Sequence, residues 1–161
     1  MVKKMGLFTP KWMTDATEAG KLTDESKLEK AYLKSDNMLV VLTSIRKIND
    51  TSFLYEILEG KNMPDVSDGY KKMIKEIAAE KLGVLDRELL IKAAAFSEPA
   101  IELLYYSEIL ELIKSHASDT DDDVISSWMD RIKDKNVLRK IYFSDSMPTR
   151  LRSMAQKKAE E

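Results

Sequence analysis

The residues with the clearest potential for chemistry form an acidic run, Asp119-Thr120-Asp121-Asp122-Asp123. Closely spaced carboxylates are typical calcium ligands, but a calcium-binding loop also needs glycine at its sixth position and glutamate at its twelfth. Counted from Asp119, those positions hold Val124 and Asp130. The residues from Val124 onward have helical periodicity, and the helix dipole favours acids at a helix N-terminus. We therefore predict that the acidic run begins a helix and binds no metal.

Other catalytic signals are few. His116 is the single histidine and cysteine is absent, so multi-histidine metal centres and thiol chemistry are excluded. A Gly-x-Ser-x-Gly nucleophile phrase does not occur, and Gly60, Gly69 and Gly83 are too far apart to cradle a phosphate. We expect no cofactor and favour a protein that is not an enzyme, although an enzyme stays open.

Charge is segregated in the C-terminal half of the chain. Residues 98–130 carry nine acids and one lysine, whereas residues 131–158 carry nine bases and two acids. The basic stretch is either a surface for a partner or phosphates, or a solvated face that offsets the neighbouring acids. Its candidate partner-binding residues are Arg131, Arg139, Lys140, Arg150 and Arg152.

The composition indicates an all-helical protein. The chain has 161 residues, of which 43% are apolar and 34% charged, with only five glycines and four prolines. This length predicts one domain over residues 1–161, with a lead-in over 1–10 and a frayed charged tail over 156–161. Apolar runs long enough for a secretory signal or a membrane span are absent from the sequence, so we expect a soluble, cytoplasmic protein.

The segment Val124–Tyr142 shows how the helices are built. Val124, Trp128 and Ile132 lie four residues apart, which predicts one buried helical face with Trp128 in the core. Asp134 follows as a good N-cap for a second short helix. The segment therefore predicts two amphipathic helices joined by a tight turn.

The same arrangement recurs along the chain as the phrase apolar-x-Asp-x-x-x-Leu-x-x-apolar. It occurs at Asp24, Asp50, Asp86 and Asp134, and a worn copy has Tyr106 in place of the aspartate. Each unit is a helix pair that cannot bury its own apolar stripes, so neighbouring pairs must stack. A non-repeating helical bundle with ordinary aspartate caps stays open as an alternative.

Three helix boundaries have to be predicted from residues outside the repeated phrase. Ser35 or Asp36 is expected to cap the helix that carries Val41 and Ile45. Gly83 is expected to stop the helix that begins near Tyr70. Residues 100–114 form either two helices or one bent helix.

The repeated unit resembles the small bacterial HEAT-like repeat, Val-x-x-x-Ala-x-x-x-Ile-x-Asp-x-x-x-Leu-x-x-Ile. The matching positions are Val40, Ser44, Ile48, Asp50, Leu54 and Ile57, and also Val124, Trp128, Ile132, Asp134, Leu138 and Ile141. Met5-Gly6-Leu7-Phe8, with Pro10 and Trp12, also resembles the start of such proteins. The resemblance implies an α-α superhelix of stacked antiparallel helix pairs, with about nine to eleven helices.

We expect a non-enzymatic interaction or scaffold module that binds a protein or peptide partner through a surface of the solenoid. Two alternatives stay open: a structural subunit of a larger assembly, and a nucleic-acid enzyme of the HEAT-like DNA glycosylase type. In the second, Trp128 would stack on a base beside Asp130 and Arg131, although its position in the stripe favours the core. The charge segregation also suggests self-association, and we expect no membrane partner.

Overall fold

Every regular element in the part of the chain that the structure describes is a helix. The computed structural model describes residues 10–161, where eleven helices and no strand occur. The helices are α1 Lys11–Lys21, α2 Glu25–Lys34, α3 Met38–Lys47, α4 Thr51–Leu58, α5 Asp68–Leu85, α6 Arg87–Ala93, α7 Glu98–Ile101, α8 Tyr106–His116, α9 Asp122–Met129, α10 Lys135–Tyr142 and α11 Thr149–Glu160. The all-α prediction is confirmed. The expected lead-in and the Met5-Gly6-Leu7-Phe8 motif lie outside the described residues, apart from Pro10.

The chain divides into two compact units within helix α6. The first unit ends at Leu89, and the second covers Leu90–Glu161. Each unit has its own buried apolar residues. The single-domain organisation stays a prediction.

In the first unit, helix α3 is the central element. It packs against α1, α2 and α5, and α5 also packs against α4. The aromatic rings of Tyr32 on α2 and Phe53 on α4 meet edge to face, with centroids 5.7 Å apart. Ile48 and Leu54, which the repeated phrase places in the core, are both fully buried.

Two lysines close the C-terminal ends of helices in this unit. Lys47 on α3 donates from Nζ to the carbonyl oxygens of Gly20, at 2.6 Å, and Leu22. Lys81 on α5 donates to the carbonyl oxygen of Arg46, at the end of α3. The last carbonyl groups of a helix have no partner within the helix, so each lysine supplies a donor that its neighbour lacks.

The predicted aspartate caps are confirmed. Asp24, Asp50 and Asp134 accept hydrogen bonds from backbone N–H groups in the first turns of α2, α4 and α10. Asp86 accepts from the N–H of Leu89 in α6, at 3.1 Å. These caps are local, because each carboxylate lies two or three residues before its donor.

Two predicted boundaries are wrong. Helix α3 is capped by Asn37, whose Oδ1 accepts from the N–H of Leu39 at 3.0 Å, and not by Ser35 or Asp36. Ser35 instead ends α2, and its hydroxyl accepts from the N–H of Asn37. Helix α5 continues through Gly83 to Leu85, because an isolated glycine weakens a helix without having to end it.

The structure also gives the helices over residues 100–114 and at the C-terminal end of the described chain. Residues 100–114 contain the end of α7, a turn over residues 102–105 and most of α8, so they form two helices and not one bent helix. In the repeat that lacks the aspartate, Tyr106 is the first residue of α8, and the N–H of the preceding Tyr105 donates to Oε2 of Glu108 at 2.7 Å. Helix α11 extends to Glu160 with Ala159 buried, and the fraying of residues 156–161 stays a prediction.

In the second unit, helix α11 packs against α9 and α10. Trp128, Ile132 and Leu138 are buried as predicted, and the Trp128 ring lies edge to face with His116 at 5.9 Å. Val124 is 38% exposed, so the prediction that it is buried together with Trp128 is wrong. Helix α9 begins at Asp122, and the adjacent residue, Ile125, occupies the buried position in its first turn.

Candidate functional site: the basic face of helix α10

Three of the five candidate partner-binding residues are engaged within the second unit. The Arg131 guanidinium bridges Glu98 and Glu102, with N–O distances of 3.4 Å to each. Arg150 pairs with Asp122 and also donates to the carbonyl oxygen of Ala117. Arg152 pairs with Asp145 at 3.3 Å.

A further pair joins the acidic and basic blocks. Lys158 pairs with the carboxylate of Asp130, and Lys133 donates from Nζ to the Asp130 carbonyl oxygen at 2.8 Å. Arg131, Arg150 and Lys158 all pair with acids of the 98–130 block. Part of the basic stretch therefore offsets the neighbouring acids, which is one of the two interpretations that the sequence left open.

The other two candidates, Arg139 and Lys140, lie together on helix α10. Both are exposed, as is Lys135 one turn earlier. Within residues 10–161 none of the three forms an ion pair. The only polar side-chain contact that they make there joins Arg139 to the Oδ1 of Asn136, at 3.4 Å. These three cations are therefore left facing solvent without a carboxylate.

An exposed aromatic ring continues the same surface. Phe143 follows α10 directly, one turn beyond Arg139, and is 72% exposed. Its ring lies 4.6 Å from the Tyr142 ring, beside a shallow depression of about 270 Å³ that also touches Thr149 and Arg152. We call Lys135, Arg139, Lys140 and Phe143 the basic face.

The local sequence explains why this face points outward. Asp134 caps α10 through the N–H of Asn136, at 2.8 Å, which fixes where the helix begins. Leu138 and Ile141 are buried, and α10 packs against α11. The residues on the opposite side of the helix therefore project to solvent.

The structure does not assemble all five candidates into one surface. Arg131 lines a depression of about 570 Å³ with Tyr106 and Lys133, and Arg150 lines another beside the acidic run. Arg139 and Lys140 remain as the pair on α10. Sequence reasoning missed Lys135 and Phe143 as members of the face, although the spacing of 135, 139 and 143 at four residues is a helical signal.

Two other candidate groups lie at the ends of helices. The acidic run leads into α9 with Asp121 as its N-cap, as predicted. His116 is half-buried, and its Nδ1 lies 2.9 Å from the Ser115 hydroxyl and 3.1 Å from the Leu112 carbonyl oxygen. Over residues 10–161, three or more metal-ligating side chains do not come together at any point.

None of the helices between residues 10 and 161 combines the length and the apolar character that crossing a bilayer requires. Comparison of the chain with protein-family models, curated proteins and solved structures gave no match. The function is therefore inferred from the surface of the protein.

Proposed function

We propose that this chain is a non-enzymatic interaction module that binds an acidic segment of a protein partner through the basic face. The observation that carries the proposal is the contrast among the basic residues. Arg131, Arg150 and Arg152 already have carboxylate partners, whereas Lys135, Arg139 and Lys140 have none among the described residues.

The chemistry of the basic face fits a protein partner. Arginine and aromatic side chains are enriched at protein interfaces and supply much of their binding energy. Phe143 is 72% exposed beside three cations, so a partner with carboxylates around an apolar side chain would match both features. The cations would also speed association by attracting an acidic segment over several ångströms.

The proposal extends to the architecture. We infer that the helix pairs are HEAT-like units stacked in a superhelix, as the repeated phrase suggests. In the first unit this is supported by the packing of α3 against both α1 and α5, with α2 on α3 and α4 on α5. The lysine caps support it too, because Lys47 and Lys81 each close the helix two positions earlier in the chain.

The glycosylase alternative gains no support from its key side chain. Trp128 is 4% exposed and packs against His116, so its ring is not open to a flipped base. Asp130, the acid that would assist it, pairs with Lys158.

The structural-subunit alternative differs from the interaction module because a structural subunit would have its partner permanently bound. Size-exclusion chromatography of native lysate would reveal that complex.

Site-specific photo-crosslinking tests the proposal. A photoreactive phenylalanine replaces Phe143 in one version and Val84 in a second, because Val84 is 87% exposed and lies in the first unit. After irradiation in cells, we expect a discrete protein adduct from position 143 that position 84 does not give. The adduct should vanish when Lys135, Arg139 and Lys140 are changed to glutamate, a combination we call the reversed-α10 variant.

Two outcomes of this experiment would contradict the proposal. One is an adduct from position 143 that nuclease treatment destroys, because the partner would then be a nucleic acid. The other is the same set of protein adducts from positions 143 and 84, because contact at Phe143 would then be non-specific.

A further inference from the structure

The acidic run keeps charges that the second unit does not neutralise. Asp122 pairs with Arg150, but Asp119, Asp121 and Asp123 are exposed and form no ion pair within residues 10–161. The three carboxylates lie within five residues, around the start of α9. Like the basic face, they are a group of charges left without a local partner.

A depression adjoins these carboxylates. It has a volume of about 680 Å³ and is lined by the acidic run, Ala117, Pro148 and Arg150. Ala117 and Pro148 contribute apolar surface at its edge, and Arg150 is held in place by its bonds to Asp122 and Ala117. A single aromatic side chain would fit against this surface.

We infer that the partner of the basic face is a second copy of this chain, which presents its acidic run to α10. This inference rests on the proposed function and names the partner of the same face. Lys135, Arg139 and Lys140 supply three positive charges, and Asp119, Asp121 and Asp123 supply three negative ones. The Phe143 ring of one copy would lie in the depression of the other.

Contacts within the same copy hold each of the two groups in its place. Helix α10 is held by its packing against α11, and the start of α9 is held by the ion pair between Asp122 and Arg150. No ion pair joins the acidic run to the basic face among the described residues. Both groups therefore stay available, and complementary patches on one chain are the condition for self-association.

Sedimentation velocity across a range of protein concentrations tests the inference. We expect the weight-average sedimentation coefficient to rise with concentration at low ionic strength. It should stay at the monomer value in about 1 M salt, where the Debye length falls to about 3 Å.

Charge exchange between the two surfaces makes the test specific. The reversed-α10 variant is compared with a reversed-run variant, in which Asp119, Asp121 and Asp123 are changed to lysine. Each variant alone should need at least about tenfold more protein to associate, because three exposed ion pairs become repulsive. An equimolar mixture should associate again, because the complementary signs are restored between the two variants.

Circular dichroism establishes that each variant is folded, and neutral glutamine and asparagine versions replace any variant that is not. A monomer at every concentration in low salt would overturn the inference. So would association that persists equally in both variants alone. Neither result bears on binding to a different protein, which the photo-crosslink at position 143 reports separately.

Discussion

The Nζ of Lys81 on helix α5 donates a hydrogen bond to the carbonyl oxygen of Arg46 at the end of helix α3, over 2.8 Å. A second hydrogen bond reaches the Oδ1 of Asn49 at 3.1 Å. Desolvation by burial lowers the pKa of the Lys81 ammonium, so its charge is partly withdrawn from water. The two acceptors stabilise the Lys81 ammonium in this position, and the hydrogen bond to Arg46 links α5 to α3.

Replacing Lys81 with methionine should destabilise the protein. The change keeps the apolar stem but removes the donor from the exposed end of α3, where the net contribution of a hydrogen bond is about 0.5–1.5 kcal/mol. We expect a loss of about 1 kcal/mol in the free energy of unfolding, measured by urea denaturation. Lys72→Met on the same helix is the control, because its side chain is 73% exposed and its loss should stay within about 0.5 kcal/mol. Equal losses in the two variants would show that the cap contributes nothing.

Replacing Tyr32 with phenylalanine should stabilise the protein. The Tyr32 hydroxyl is buried and has no hydrogen-bond partner among residues 10–161, so it carries a desolvation penalty that phenylalanine avoids. We expect a gain of about 1 kcal/mol at neutral pH, measured by urea denaturation. Tyr70→Phe serves as the control, because Tyr70 is 42% exposed. A loss of stability in Tyr32→Phe would mean that the hydroxyl makes a favourable bond.

The same residue predicts a pH dependence. Burial raises the pKa of Tyr32 above its ordinary value of 10.0, so the unfolded chain releases the proton at a lower pH than the folded protein does. The free energy of unfolding therefore does not depend on Tyr32 ionisation below the pKa of the unfolded state, and it falls as the pH rises above that pKa. The wild type should therefore lose more stability than Tyr32→Phe between pH 9 and about 11. Parallel pH profiles of the two proteins would contradict the assigned pKa shift.

The aspartate caps can be tested with a matched pair of variants at Asp50. Its carboxylate accepts from the N–H of Phe53 at 2.9 Å. Asp50→Ala removes this bond and should cost about 1 kcal/mol, whereas Asp50→Asn keeps an oxygen acceptor and should cost little. Thermal unfolding of both variants measures the difference. If asparagine and alanine are equally damaging, the carboxylate acts through its charge and not through the cap.

The paired and unpaired arginines should behave differently in the photo-crosslinking experiment. Arg131→Gln removes ion pairs to Glu98 and Glu102 that lie partly in solvent, so its effect on stability should be at most about 1 kcal/mol. It should leave the adduct from position 143 intact. Arg139→Gln should reduce that adduct, because Arg139 lies on the basic face. An adduct that depends on Arg131 and not on Arg139 would move the partner surface away from α10.

The sequence was informative where structure is decided locally. The caps at Asp24, Asp50, Asp86 and Asp134 were predictable because an aspartate bonds to an N–H two or three residues ahead. Because caps are local, neighbouring candidates are hard to tell apart, which explains why the cap of α3 was wrongly predicted at Ser35 or Asp36. The side chains of Ser35, Asp36 and Asn37 are all plausible caps, and the ending of α2 at Ser35 decided among them.

The candidate site could be only partly predicted, because the pairing of charges is not local. Arg131 and Glu98 are 33 residues apart in the chain, and Arg150 and Asp122 are 28 apart. No periodicity in the sequence indicates which bases find a carboxylate after folding. The spacing of residues on α10 did indicate that Arg139 and Lys140 share a helix, and the packing against α11 determined which side of that helix is exposed.

Binding of a fluorescein-labelled, glutamate-rich peptide with one leucine tests the central claim most directly. Fluorescence anisotropy compares the wild type, the reversed-α10 variant and a matched variant with Lys27, Lys30 and Lys34 on α2 changed to glutamate. These three α2 lysines are exposed as well. Each variant replaces three cations with glutamate, so the two variants change the net charge equally. We predict that the α2 variant retains most of the binding and that the reversed-α10 variant weakens it by at least about tenfold. Equal weakening in the two variants, or none in the reversed-α10 variant, would contradict the basic face as the partner surface.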